Sequence, residues 1–415
     1  MMKRLPARRR RWLLRLLSGL LGLLIGLGVA EIALRWLDVG YPLLYQPDPY
    51  CGSRLRPGTR GVWIHEGRGH VAINSLGFRG PEITLAKPPD TRRLVVLGDS
   101  FIEALQVDYG DSLCGQLAAG LTAADLGYSG PPRQAIEVVN AGVSGYGTAQ
   151  QLLLLEHYVL PLQPDVVLLA IYPENDIRNN HPLLEDDPRL PYYSLDDRGE
   201  LHVDTSFRAS QGYVVASSRY ERWKAAWINA SRVLQLLHHA RQQWSAPQTQ
   251  ASAGTIFEQL CAAVDEAAYV YAPPQNPTTN AAWQVTQRLV AEIGNRCRAA
   301  GVRLIVFSVS TSAQVYPDPG LRQRLAQACA VDDWFYAEQR LGDFCARSAI
   351  EFVPLASQLQ ARADRTGEFL HGFRNTQLGL GHWSPAGHRA AAEVLLEYIT
   401  ARHDPQDYGA EHRVR

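Results

Sequence analysis

The chain has 415 residues, enough for one large domain or two ordinary ones, and hydrophobic residues at 46% with charged residues at 20% give it material for a substantial core. Its 41 basic and 41 acidic side chains balance, which excludes a general attraction to nucleic acid or anionic surfaces and leaves any electrostatic role to local clusters.

The first such cluster opens the chain. Lys3, Arg4, Arg8, Arg9, Arg10, Arg11 and Arg15 precede an uncharged apolar run from Leu16 to Ala30. Those 15 residues fall short of the roughly 20 that cross a bilayer, but counting from Trp12, with Arg15 snorkelling, gives 19. We expect a basic cytoplasmic tip over 1–11, a transmembrane anchor over 12–38, and everything after it on the extracytoplasmic side of the cytoplasmic membrane. A cleaved signal peptide is the alternative, because Gly28-Val29-Ala30 offers small residues to a peptidase.

Residues 39–90, rich in Gly, Pro and Arg, read as a lead-in packed on the main domain. From there a repeating order sets in. Arg93–Leu97 is a short apolar run ending at a glycine, Ile136–Val139 is a second and Asp165–Ile171 a third, with helical patterns over 108–121 and 148–160 between and after them. Residues 180–275, with their prolines and tyrosines, interrupt the pattern as an insertion. It resumes with a long amphipathic helix over 281–300, a strand over 302–307, helices near 319–330 and 335–348, a strand over 350–353 and a helix over 385–398. Continuous rather than alternating apolar strands point to a parallel sheet covered on both faces. The fold class is therefore α/β: a doubly wound, flavodoxin-like sandwich of about five parallel strands over 91–403, with a tail at 404–415.

In such a sheet, ligands bind at the carboxyl ends of the strands. Gly98-Asp99-Ser100 follows the first strand, Asn140–Gly147 the second and Glu174-Asn175-Asp176 the third, while Gly381–His388 precedes the last helix. A serine, a glycine amide, an asparagine amide and a histidine are what acyl transfer needs: a nucleophile, donors for an oxyanion and a base. A serine after a strand also commonly caps the next helix, and only the accompanying blocks make Ser100 a nucleophile.

With its four blocks in order, the chain resembles the SGNH, or GDSL-type, hydrolases over roughly Asn74 to Tyr398, including a lead-in Asn74-Ser75-Leu76-Gly77-Phe78-Arg79 like that of anchored bacterial members. The resemblance implies Ser100 as nucleophile, His382 as base, and an oxyanion hole from Ser100 N–H, Gly142 N–H and the Asn175 amide. It implies ester hydrolysis of an acylated glycan or lipid, with transfer of the acyl group to a sugar, or binding without catalysis, as alternatives.

Two departures stand out. Pro173 replaces a glycine of the third block, and the acid expected two or three residues before the histidine is missing, since those positions are Leu380 and Gly379. His382 would then be held by a backbone carbonyl, or by an imported carboxylate such as Asp364 or Glu368, or the fold would be catalytically impaired. Competing motifs fail on spacing. Gly142–Tyr146 lacks the last glycine of G-x-S-x-G, no G-x-G-x-x-G or P-loop lysine occurs, and no C-x-x-C occurs among six cysteines. His65–His70 has one residue too many for H-E-x-x-H, and its glycines argue against a helix. We therefore expect neither metal nor cofactor. His388, inside the last helix, reads as structural.

Overall fold

The computed structural model describes residues 7–123, 135–245 and 254–401; the expected tail at 404–415 lies outside them. The chain divides into two units, one of residues 7–43 with 219–245 and one holding the rest.

The first unit is helical. Helix α1 spans Ala7–Trp36, and its segment Arg10–Trp36 is the one helix among the described residues long and apolar enough to cross a membrane.

In the second unit the lead-in folds as two antiparallel hairpins, β1 (Tyr45–Asp48) with β2 (Gly52–Leu55) and β3 (Arg60–Trp63) with β4 (Gly69–Ala72). Then come β5 (Thr91–Gly98), the single turn α2 (Ser100–Glu103), α3 (Leu113–Ala123), β6 (Ala135–Gly142), α4 (Thr148–Leu154), β7 (Val166–Ile171) and α5 (Pro173–Asn179). A hairpin of β8 (Tyr192–Leu195) and β9 (Leu201–Asp204) leads to α6 (Gln211–Ala216). Helices α7 (Arg219–Ala230) and α8 (Arg232–Ser245) belong to the first unit, so the expected insertion at 180–275 is divided between the two. The second unit resumes with α9 (Ile256–Glu266), α10 (Ala268–Tyr271) and α11 (Pro277–Ala299), then β10 (Arg303–Ser308), α12 (Pro319–Ala328) and α13 (Tyr336–Arg347). It ends with β11 (Glu351–Val353), α14 (Leu355–Thr366) and α15 (Pro385–Ala401).

The central sheet is five-stranded and parallel, in the order β11-β10-β7-β5-β6. Counting only its own strands, that is the doubly wound order 2-1-3-4-5. The apolar runs are continuous because alternate side chains serve two cores. Val95, Leu97, Val167, Leu169 and Val306 face one, with α4, α11 and α13, while Leu94, Val96, Leu168, Ala170 and Ile305 face the other, with α3, α14 and α15. The order reverses between β5 and β7, and a crevice at the strands' carboxyl ends opens there. Ser100 follows β5 and Asn175 follows β7, so the topology delivers both to that switch point.

Candidate active site

β5 ends at Gly98, where a Cβ would come within 2.3 Å of Ile102; glycine lets α2 fold directly back on the strand. Asp99, not Ser100, caps α2: its Oδ1 accepts from Phe101 N–H at 3.0 Å. The serine hydroxyl is thereby left for other work. Arg79 of the lead-in secures the far side of this turn. Its buried guanidinium donates to the carbonyls of Glu103 (2.7 Å), Ala104 and Val107 (2.5 Å).

His382 stands on the loop before α15, and its Nε2 lies 2.8 Å from Ser100 Oγ. Nδ1 faces the carboxylate of Glu66, at 2.5 Å from Oε2, while Glu66 Oε1 accepts from the backbone N–H of His382 at 2.8 Å. Both carboxylate oxygens thus bind one residue, fixing the imidazole's orientation and placing a proton on Nδ1. The structure supplies an acid, and it is none of those expected. Asp364 is engaged with Arg322 at 2.7 and 2.9 Å, and Glu368 faces Arg362 and Arg389. Nor does a backbone carbonyl orient His382.

The two vacant sequence positions explain themselves. Gly379 has φ +82° and a Cβ there would sit 2.4 Å from the Tyr316 ring, while Leu380 packs partly buried on the core. Gly381 (φ +87°) has no room for a side chain either, because a Cβ would fall 2.2 Å from Glu66 Oε1. The acid arrives instead on the loop between β3 and β4. Asn375 ties that loop down, its Oδ1 accepting from Gly67 N–H and its Nδ2 donating to Gly67 O, both at 2.9 Å. Gly67, at φ +63°, approaches Gln106 O and Phe373 too closely for any Cβ. His70, at the other end of the failed H-E-x-x-H spacing, points away to Asp108 at 2.8 Å.

Burial opposes charging His382, but the Glu66 hydrogen bond and charge outweigh it and raise its pKa. Burial likewise pushes Glu66 up, and its bonds to His382 reverse this, holding it below the usual carboxylate range. Burial raises Asp99 despite its bonds from Phe101 N–H and Asn175.

Asn175 is in the first turn of α5. Pro173, the departure in the third block, is that helix's opening residue, where a missing N–H costs nothing. Asn175 Nδ2 donates to Asp99 Oδ2 at 2.9 Å, which places the amide beside the residue preceding Ser100. Asp176 supports the loop, accepting from Tyr172 N–H, Thr148 Oγ1 and Gln151 Nε2.

Gly142 does not fit its expected role. Its N–H donates to Asn140 Oδ1 at 3.0 Å, and a Cβ would lie 2.2 Å from Glu103 N, so this glycine admits α2 against β6 rather than facing a ligand. Three residues on, Gly145 has φ +79°, has open space around its Cα, and has an N–H without a protein acceptor among the described residues. Gly145 lines, with Ser144, Asn175 and Trp63, a cavity of about 680 Å³. The buried Glu103 holds that loop, accepting from Ser144 N–H at 3.0 Å and from the hydroxyls of Ser144 and Tyr45. Burial pushes Glu103 up to about 7 against those donors.

His388 is buried and accepts from Leu113 N–H at 3.3 Å, a structural role. Among the described residues no group of three or more His, Cys, Asp or Glu is placed to hold a metal ion.

No protein-family model matches the chain, and no curated protein matches it. Among solved structures, a catalytic variant of an acetylxylan esterase from Geobacillus stearothermophilus is 12% identical, covering 74% of this chain and 94% of that one, with a TM-score of 0.36. An alpha/beta hydrolase from the metagenome of Lake Arreo, Spain, is 13% identical, covering 75% and 95%, with a TM-score of 0.35. At those values the likeness assigns this chain no activity.

Proposed function

We propose that the chain is an SGNH-type serine ester hydrolase, anchored by α1, with its catalytic unit on the extracytoplasmic side of the membrane. The observation that carries this is the continuous line Ser100 Oγ, His382 Nε2, His382 Nδ1, Glu66 Oε2, with steps of 2.8 and 2.5 Å at its two ends. Serine is a weak nucleophile until a neighbouring base takes its proton, and a base works only when its tautomer is fixed.

Ser100 Oγ attacks the ester carbonyl carbon as its proton passes to His382 Nε2. The resulting oxyanion is held by Ser100 N–H, Gly145 N–H and the Asn175 amide, with Gly145 taking the place expected of Gly142. His382 then returns the proton to the departing alkoxide, leaving an acyl group on Ser100. Water, deprotonated by the same imidazole, attacks that acyl carbon; the bond to Ser100 Oγ then breaks, the oxygen takes the proton back from His382, and a carboxylic acid leaves. Glu66 stays ionised throughout and stabilises the imidazolium. Glu66 provides the carboxylate whose absence before His382 motivated the alternative of binding without catalysis, and so supports the hydrolase reading over it. An acylated glycan or lipid remains the substrate class we put forward.

A fluorophosphonate probe on the intact protein tests the nucleophile. Labelling and turnover of a p-nitrophenyl acetate should both vanish in Ser100→Ala; labelling retained in that variant overturns the assignment. A C-terminal reporter active only after export tests the topology, and activity of a cytoplasm-only reporter there refutes it.

A further inference from the structure

Helices α7 and α8 are built inside out. The face of α7 that packs inward carries Ala225 and Ile228, and the most buried side chain of α8 is the polar Gln235, bonded to Asn229 O at 3.1 Å. The large apolar side chains point outward. Tyr220, Trp223 and Trp227 are 66, 61 and 56% exposed, and spacings of three and four residues put them on one face of α7. The two indoles meet edge to face at 5.7 Å, so the stripe is one continuous aromatic patch. On α8, Leu237 is 61% and Trp244 93% exposed. A helix pair in water would bury such side chains and expose the glutamine.

The same unit contains the apolar helix α1, whose leucines are exposed along its length. The pair is fixed to one end of it. Glu31, the first residue after the uncharged run, accepts from Arg232 N–H (3.0 Å), Val233 N–H (3.1 Å) and Ser231 Oγ (2.9 Å), and Arg35 donates to Ala230 O at 2.8 Å. The α7–α8 joint is therefore pinned to the end of α1's uncharged run, which, with α1 read as a span, is where the helix leaves the hydrocarbon. That is the headgroup layer, the depth at which Trp and Tyr are most favourable because ring and polar tip are satisfied together. Charge is compatible with it: residues 219–245 carry five basic side chains against one acidic, and Arg and Lys pair with the phosphate groups that headgroups carry in either leaflet.

We infer that α7 and α8 form an interfacial collar whose aromatic stripe lies in the headgroup layer of the bilayer spanned by α1. This rests on the reading of α1 as a membrane span and goes beyond the ester chemistry.

The test uses the full chain in phosphatidylcholine–phosphatidylglycerol vesicles carrying a diazirine phosphatidylcholine, photolysed and mapped by peptide mass spectrometry. Lipid adducts are expected on both α1 and residues 219–245. Trp223→Ser with Trp227→Ser should lose most of the adducts on 219–245 while keeping those on α1 and the fluorophosphonate labelling that reports a folded catalytic unit. Adducts on α1 with none on 219–245 overturn the collar and leave the span standing. Adducts absent from both overturn the span, and the collar with it. Adducts on residues 219–245 that persist undiminished in Trp223→Ser with Trp227→Ser also overturn the collar.

Discussion

His382 is gripped by two loops of very different origin. The loop that carries it, between α14 and α15, follows the last crossover of the sheet and packs on the core through Leu380. The loop that carries Glu66 joins two four-residue strands of the lead-in, 316 residues earlier, and belongs to no layer of the sandwich. Both are irregular, and both use glycines at positive φ, at Gly67 on one side and at Gly379 and Gly381 on the other. They differ in what fixes them. The sheet and its helices place His382, whereas Glu66 is placed by Asn375, by glycines that permit close approach, and by His382 itself. A carboxylate that orients an imidazole thus need not come from the element that carries the imidazole.

The largest effect that can break this comparison is Glu66→Gln. The amide can keep the geometry but cannot stabilise the imidazolium, so kcat/KM for a small ester should fall by about 10²–10⁴-fold. Asp364→Ala and Glu368→Ala should retain near wild-type turnover. Leu380→Asp should not raise activity, because Nδ1 already has its partner and the new charge displaces a packed side chain. A Leu380→Asp enzyme faster than wild type, or a fully active Glu66→Gln, would show that Glu66 is a bystander.

These two loops also mark where sequence reasoning stops. The five strands of the sheet were legible because both faces are covered, giving apolar runs that no loop imitates, and glycine ends the first of them. The placement of Ser100 and Asn175 after strands and of His382 before the last helix was legible because each stands at a predictable edge of a predictable element. Glu66 had no such address. Its neighbours Gly67 and Gly69 were a signal, but of close backbone approach and not of a partner. The spacing from His65 to His70 suggested only a metal motif that it failed. Gly142 misled for a related reason. A glycine at a strand's end is required for packing against α2 as readily as for binding an anion, and only the Asn140 bond and the proximity of Glu103 N separate the two. The inside-out character of α7 and α8 was hidden because the periodicity of an amphipathic helix does not say which face meets water.

The glycines and Asn175 sharpen the comparison at the next level. Asn175→Ala should lower kcat by about 10²–10³-fold with little change in thermal midpoint, the signature of a lost oxyanion donor. Gly145→Ala should act on kcat in the same direction. Gly142→Ala should instead show itself first as instability, of roughly 1–3 kcal/mol in denaturant melts, because its Cβ must push α2 from β6. If Gly142→Ala folds as well as wild type and Gly145→Ala turns over normally, their assignments are reversed.

Loosening the Glu66 loop without touching the carboxylate is a smaller perturbation. Asn375→Ala removes the reciprocal bonds to Gly67, each contributing about 1 kcal/mol, so turnover should fall roughly tenfold while the fluorophosphonate still labels Ser100. Glu66→Gln combined with Asn375→Ala should cost little beyond Glu66→Gln alone, because the clamp acts only through the carboxylate it positions. Additive losses would mean that Asn375 supports the site by another route.

The pH response yields the smallest and most specific effect, because the His382–Glu66 pair stabilises the fold under conditions in which His382 cannot act as a base. Glu66 is held below its ordinary value of 4.5, so its share of stability is present above that value and is lost as pH falls through the lowered folded pKa. His382 is raised above its ordinary 6.5, so its share is fully present below 6.5 and is lost as pH rises through the raised folded pKa. The pair therefore stabilises most between about 4.5 and 6.5, where the imidazole is protonated and cannot accept the Ser100 proton. Turnover should rise with pH along a single-proton curve whose midpoint lies above 6.5, and Glu66→Gln should move that midpoint down. The gap in thermal midpoint between wild type and Glu66→Gln should be widest in the mildly acid window and narrow on both sides of it. A gap that stays constant from pH 4 to 9, with an unmoved activity midpoint, would mean that Glu66 holds His382 by hydrogen bonds alone and contributes no charge.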